Sequence, residues 1–181
     1  MRKRDYKQIV EEYENSVDEN LLKLFDDIRK GKSKEYNVLG HVTEKMASDI
    51  LAVLPNVYRD DFSPIDYEIV VGKSFLEHVE SRHGINGKHD NSMADDKDKA
   101  RIGYAIFNYD SINSGGKSKE YTMIDKNGND ISSPTIGIEK RIDGTMVVAE
   151  AVPDTYKRQL VVISAYIKMH KKRRIFEQLD A

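Results

Sequence analysis

The chain has 181 residues, 39% hydrophobic and 33% charged, with a formal net charge of -2 and a mean hydropathy of -0.64. That length suits one core with an appendage, and that composition suits a soluble globular chain with a heavily solvated surface. Cysteine is absent, which excludes a disulfide framework, a thiolate zinc site and a cysteine nucleophile. The charge balance argues against coating nucleic acid by bulk charge, although a local basic site stays open. The basic start Met1-Arg2-Lys3-Arg4 leads into no apolar stretch, and no run of about 18 apolar residues follows, so neither a signal peptide nor a membrane span is expected.

From Asp5 to Lys30 apolar residues recur at intervals of three and four, which predicts a helix that Gly31 ends. A second helix is expected from about Thr43, where Met46, Ala47, Ile50, Leu51 and Leu54 form one stripe before Pro55. Residues 1–54 therefore read as helical, and 56–66 as a linker to a short strand at 67–71. Ser74 followed by Glu77 has the form of a capping box, and Gly84 stands where a left-handed terminating residue belongs, which together delimit a helix from Phe75 to His83. After a Gly- and Asn-rich loop, a third helical pattern spans about Met93 to Phe107.

The period then changes to two. Strands are expected at Lys119–Asp125, Thr135–Ile142, Thr145–Val152 and Leu160–Lys168. Lys126 to Asn129 should turn between the first two, and Pro153-Asp154 should break the third. Asp143-Gly144 is the strongest hairpin signal, and a two-residue turn there pairs Ile142 with Thr145, Arg141 with Met146, Glu139 with Val148 and Gly137 with Glu150. One face of that hairpin is Ile136, Ile138, Ile142, Val147 and Ala149, and the other carries Glu139, Arg141 and Glu150. Lys140 interrupts the apolar side as if it snorkels at an edge. In the last strand, alternation puts Val161, Ile163, Ala165 and Ile167 on the apolar face and Val162, Ser164, Tyr166 and Lys168 opposite. The expected architecture is α+β: helices followed by a small antiparallel four-stranded sheet, with an N-terminal helical extension. Its divisions are a helical segment and linker at 1–66, the α+β domain at 67–169 and a basic tail at 170–181.

Histidine titrates near neutral pH, and His78 with Arg82 forms an i, i+4 pair able to hold one phosphate, while His83 falls on the apolar face of the same helix. The trio also fits a semi-buried, hydrogen-bonded histidine beside two solvated side chains. Likewise, a polar column on the last strand is what a sheet with one wet face carries.

Three segments in order, Val71 to Gly84, Ile138 to Glu150 and Leu160 to Lys168, resemble the phage-associated nucleases of the barnase, EndoU, colicin and RelE-like superfamily. The resemblance implies a small antiparallel sheet preceded by helices, and metal-independent RNA cleavage by attack of the ribose 2′-hydroxyl on the adjacent phosphodiester. Cofactors are not required by that scheme. It implies His78 and His83 as acid or base, with Ser164 and Tyr166 orienting or donating, and Arg82, Arg141 and Lys168 holding phosphate. Glu150 or Glu139 remains an alternative base. RNA is then the substrate, tRNA among the candidates, and an immunity or antitoxin protein a partner. The site of action would be cytoplasmic, reached by phage or secretory delivery, with no membrane partner.

Two rivals compete. His78, His83, His89 and Asp90 could be read as a metal site, but their spacing matches no familiar ligand pattern. A non-catalytic phage accessory or immunity-type interaction protein would use residues 5–54 to dock a partner. One geometric obstacle is visible in advance: a helix packed on the apolar sheet face aims His83 away from Ser164 and Tyr166, so the two sets can meet only at a sheet edge or end.

Overall fold

The computed structural model describes residues 6–32, 36–54 and 62–168, so the basic tail lies outside the described residues. The order is α1 (Tyr6–Asn15), α2 (Glu19–Arg29), β1 (Tyr36–His41), α3 (Glu44–Val53), β2 (Glu68–Gly72), α4 (Lys73–His83), α5 (Asp96–Ala100), α6 (Ile102–Phe107), β3 (Ser111–Ile124), β4 (Asp130–Ile142), β5 (Thr145–Asp154) and β6 (Gln159–Lys168). The class is α+β. The sheet, however, is mixed and has six strands among the described residues, in the order β1-β2-β6-β5-β4-β3. Only β2 and β6 are parallel; every other neighbour is antiparallel.

The sheet exceeds the four strands expected by two: β2, which fits the short strand expected at 67–71 but joins the sheet, and β1, which is not among those expected. β1 lies in the segment expected to be helical, and it pairs antiparallel with β2 at the sheet edge. Its burial alternates weakly between exposed and half-buried, so it offers little apolar periodicity to read. The helix expected over residues 5–30 is also divided. Asp18 caps a new helix by accepting from the Asn20 and Leu21 backbone N–H groups, and its own N–H donates to the Ala100 carbonyl. Gly31, at φ +70°, ends α2 as expected.

One cluster forms the core. Leu21, Leu24 and Phe25 of α2, Met46 and Ile50 of α3, Phe75, Leu76 and Val79 of α4, and Ile102, Ala105 and Ile106 of α6 all meet one face of the sheet. Phe25 and Phe75 stack at 6.3 Å, worth about 0.5–1.5 kcal/mol beyond the area they bury. The N-terminal helices thus share their core with the sheet. α1 has no fully buried residue; Tyr13 packs against the core, and polar contacts hold the rest. The buried Arg101 guanidinium lies 3.9 Å from the centre of the Tyr13 ring and donates to Ser16 Oγ at 3.0 Å and Asp98 at 2.7 Å. Arg101 also marks the break that divides the helix expected over 93–107 into α5 and α6.

The β4–β5 hairpin has the register predicted for it, with Asp143 at φ +50° and Gly144 at +71°. Lys140 does not snorkel. It is buried on the core side and faces Asp110 at 3.2 Å and Glu12 of α1 at 3.9 Å. β4 and β3 are longer than expected, and β5 runs through Pro153 to Asp154. Between its pairings with Pro134 and Ser132, β3 advances from Lys117 to Thr122, so a bulge carrying Glu120 and Tyr121 leaves the ladder.

β6 corrects the expected faces. Glu150 opposes Ser164 but the next residue, Ala151, opposes Val162, so Ile163 is an extra residue in a bulge. Leu160 and Val162 therefore share the core face with Ala165 and Ile167, while Ser164, Tyr166 and Lys168 remain on the other. α4 begins directly after β2 without the predicted capping box: Gly72 occupies the cap position with no side-chain bond, because the helix starts one residue before Ser74. Nor is Gly84 left-handed, with φ at -79°. Glycine is needed there for space, since a Cβ would lie 2.4 Å from the Glu80 carbonyl oxygen.

Three elements are tied by ions. Arg29 of α2 bonds Glu80 of α4 and Asp96 of α5, and Lys99, 2% exposed, bonds Asp96 at 2.8 Å. Hydrogen bonding from Arg29, opposed by burial and helped by Lys99, holds the Asp96 carboxyl at about 2. A carboxylate depressed in the folded state adds stability above its unfolded pKa and loses it as pH falls through the folded one. Thermal unfolding should show a fall in Tm between about pH 4 and pH 2. Asp96→Asn should lower Tm at neutral pH and flatten that acid slope; parallel pH profiles for the two proteins would contradict this role.

Candidate functional site

β2 pairs with β6 only from Glu68 to Val70, opposite Gln159 to Val161. The chain then becomes α4, and among the described residues the rest of β6 has no strand on that side. α4 and the loop after it take that place, which brings the helix end to the sheet edge where the two predicted sets of residues can meet.

The loop from Gly84 to Met93 folds back on α4. The His89 N–H donates to the Arg82 carbonyl at 2.9 Å, and the Met93 N–H donates to the His83 carbonyl at 2.8 Å. Gly87 permits the fold, because a Cβ there would lie 2.2 Å from the Asp90 carbonyl oxygen. Ser92 Oγ then accepts the Ile167 N–H at 3.1 Å, satisfying a backbone donor on the free edge of β6.

His83 is buried, 8% exposed, and its ring stacks on that of Tyr166 at 5.5 Å with 30° between planes. The His89 ring stacks on it at 5.9 Å. Asp90 Oδ2 sits 3.0 Å from His83 Nδ1, while Asp90 Oδ1 accepts the Ser92 N–H at 2.9 Å. Burial tends to raise the Asp90 carboxyl, but the bonds from Ser92 and His83 prevail and hold it below the ordinary range. A carboxylate on Nδ1 favours the tautomer protonated there, leaving Nε2 as the reactive nitrogen.

Five residues earlier and about 140° further round α4, His78 is exposed. Crowding by its surroundings lowers its pKa first, and the positive charges of Arg82 and His83 lower it further; Glu150 and Glu120 pull the other way. The side chain of Arg82 bonds the His89 ring. Tyr166 is half-buried, and burial followed by the field of Glu150 raises its phenol, which keeps the hydroxyl protonated at neutral pH.

The sheet face beneath is ordered by register. Asn113, Gly137, Glu150 and Ser164 form one row across it, and Ser111, Glu139, Val148 and Tyr166 form the next. Ser164 is 2% exposed and lies in the floor. Glu139 bonds Lys168 at 2.9 Å, which raises the lysine, and accepts from Ser111 at 3.4 Å. Glu150 has no hydrogen bond among the described residues, so it is the carboxylate free to act.

The structure thus brings His83 and Tyr166 into contact, with Ser164 in the floor and Lys168 on the same sheet face; Arg82 is joined to His83 through the His89 ring, and the exposed His78 feels Arg82, His83 and Glu150 only as charges. Arg141 is not among them. It shares a row with Met146 and Lys168 but stands two strands away on β4, about 10 Å from β6 by strand spacing. Asp90 as the partner of His83 was not read from the sequence, where it served only as a conceivable metal ligand. Among the described residues no group of three His, Asp or Glu side chains is arranged to hold a metal ion. No helix among them is long and apolar enough to cross a membrane.

No family model, no curated protein and no solved structure matches the chain. The fold and the site geometry therefore carry the functional argument.

Asp90→Asn should release the His83 tautomer. In ¹⁵N-labelled protein, the His83 ring signals should report predominantly Nδ1–H in the wild type and a mixture or the opposite tautomer in the variant, with the fold intact by backbone spectra. Identical ring signals would mean that Asp90 does not orient the imidazole.

Proposed function

We propose that the protein is an endoribonuclease that cleaves RNA without a metal, by attack of the ribose 2′-hydroxyl on the neighbouring phosphate. The observation that carries this reading is the stacking of His83 on Tyr166 at the vacated edge of β6, with Asp90 on the imidazole and His78 and Arg82 on the same helix. The resemblance of the segments at 71–84, 138–150 and 160–168 to the barnase, EndoU, colicin and RelE-like nucleases points the same way.

Transesterification needs a base for the 2′-hydroxyl, an acid for the departing 5′-oxygen and donors for the charge that grows on the phosphate. His78, whose pKa is lowered by partial desolvation and by the charges of Arg82 and His83, suits the base, with the charge of Glu150 to stabilise it once it has taken the proton. His83 in its imidazolium form, with Nδ1–H held by Asp90, suits delivery of the Nε2 proton to the departing 5′-oxygen. The protonated Tyr166 hydroxyl and the Arg82 guanidinium suit the non-bridging oxygens. The 2′-oxygen bonds to phosphorus as the 5′-oxygen leaves, which gives a 2′,3′-cyclic phosphate and a 5′-hydroxyl. Cationic and anionic groups nearly balance among these residues, so affinity for RNA should come from a few directed contacts.

Incubation of the protein with RNA should release fragments ending in cyclic phosphate, and a strong chelator should leave the rate unchanged. His83→Ala and His78→Ala should each reduce the rate roughly 10²- to 10⁴-fold. Tyr166→Phe should reduce it less, because the stacked ring survives. Undiminished cleavage by His83→Ala would remove the site from consideration.

The pH dependence follows from the direction of the His78 shift. A base must be unprotonated to act, so the acid limb of the rate profile should have its midpoint below the ordinary histidine value of 6.5. Glu150→Gln removes a charge that favours protonated His78, and it should move that limb further down. Loss of that limb together with the activity would show that Glu150, and not His78, is the group titrating.

A further inference from the structure

At the far end of β6 from His83, a cavity of about 340 Å³ lies between the end of β3, the segment before β2 and the β5–β6 turn. Its walls include Phe62, Tyr67, Met123, Thr155, Tyr156 and Arg158. Its volume falls within the range of small-molecule sites. Three features of the lining are unexplained by the packing of the fold.

The first is the hydroxyl of Thr155, which is buried without a hydrogen-bond partner. An orphaned buried hydroxyl is costly, and one that lines a cavity is satisfied when a ligand fills it. The second is Arg158. Its guanidinium lies 5.4 Å from the centre of the Tyr67 ring, and it makes no ion pair among the described residues. A left-handed backbone at φ +53° holds it there. The third is Tyr156, a ring 61% exposed at the mouth, fixed by its hydroxyl donating to Asp130 at 2.9 Å. Phe62 packs edge-on against Tyr67 at 6.2 Å and completes an aromatic wall.

An unpaired guanidinium calls for an anion, exposed and half-walled aromatic rings call for a flat π-system, and the orphan hydroxyl calls for one further polar partner. One chemical class supplies all three. We infer that this cavity binds one nucleotide, its phosphate on Arg158 and its base against the aromatic wall. This rests in part on the RNA reading of the first site, and the two sources of the nucleotide are a free mononucleotide and one unit of a longer strand. Arg158 and Tyr166 stand eight residues apart, about 26 Å along an extended chain. A strand that fills both places must therefore extend several units from the cleaved bond.

The test uses the full chain and isothermal titration with adenosine 5′-monophosphate, and with all-deoxy single-stranded oligonucleotides of increasing length, which lack the attacking hydroxyl. The wild type should bind. Arg158→Ala should weaken binding at least about tenfold, and Thr155→Val, which keeps the shape and removes the orphan hydroxyl, should weaken it while leaving Tm unchanged or higher. If affinity rises with strand length in the wild type but not in Arg158→Ala, the site serves RNA. If only the mononucleotide responds to these changes, it serves a free nucleotide. Arg158→Ala should leave cleavage of a dinucleotide unaltered, so loss of nuclease activity in the wild type and loss of this site are separate results. Binding that is absent, or equal in wild type, Arg158→Ala and Thr155→Val, overturns the inference.

Discussion

The unequal edge of β6 governs the arrangement of everything else at the candidate site. Its first residues are hydrogen-bonded to β2, but β2 becomes a helix after Gly72, and the remaining N–H and C=O groups of β6 need other partners. A bare edge would be an invitation to foreign strands. Here the loop after α4 covers it, with Ser92 accepting from Ile167, and the same loop delivers Asp90 to His83. Covering an exposed ladder and orienting an imidazole are therefore one structural event. Were β2 to continue in register with β6, α4 would be displaced and His83 could not reach Tyr166.

Electrostatics then separates groups of the same type. His78 and His83 lie on one helix, yet His78 is crowded by cations and has no carboxylate bonded to its ring, whereas His83 has Asp90. Glu139 and Glu150 stand on adjacent strands of one face, but Glu139 is engaged by Lys168 and Ser111. Environment alone assigns different work to each member of these pairs.

Local chemistry made part of this legible from residues alone. Asp143-Gly144 demands positive φ at two successive positions, so the hairpin and its whole register followed from two letters. The stripe Phe75, Leu76, Val79 and His83 likewise located α4 and its buried face. What escaped was whatever depends on neighbours distant in the chain. β1 is a short edge strand whose Tyr36 and Val38 stay exposed, so no buried face marks it in the sequence, and it exists because β2 offers it a ladder. The Ile163 bulge reverses the alternation of β6, and a period of two cannot reveal an inserted residue. Asp90 reads as one acid in a run of acids until the loop is seen to return to His83. The obstacle posed by His83 facing the core was real, and the sheet edge is where it is resolved.

The joint between β2 and α4 contains no connecting residue. Strand and helix thus behave as a single rigid crank, anchored at one end in the sheet and carrying the imidazoles at the other. One residue inserted there would turn the helix by about 100° and carry His78, Arg82 and His83 out of alignment together. The turn between β3 and β4, from Asp125 to Asn129, has no such duty and can lengthen freely. Tolerance of chain length is therefore distributed very unevenly along this molecule.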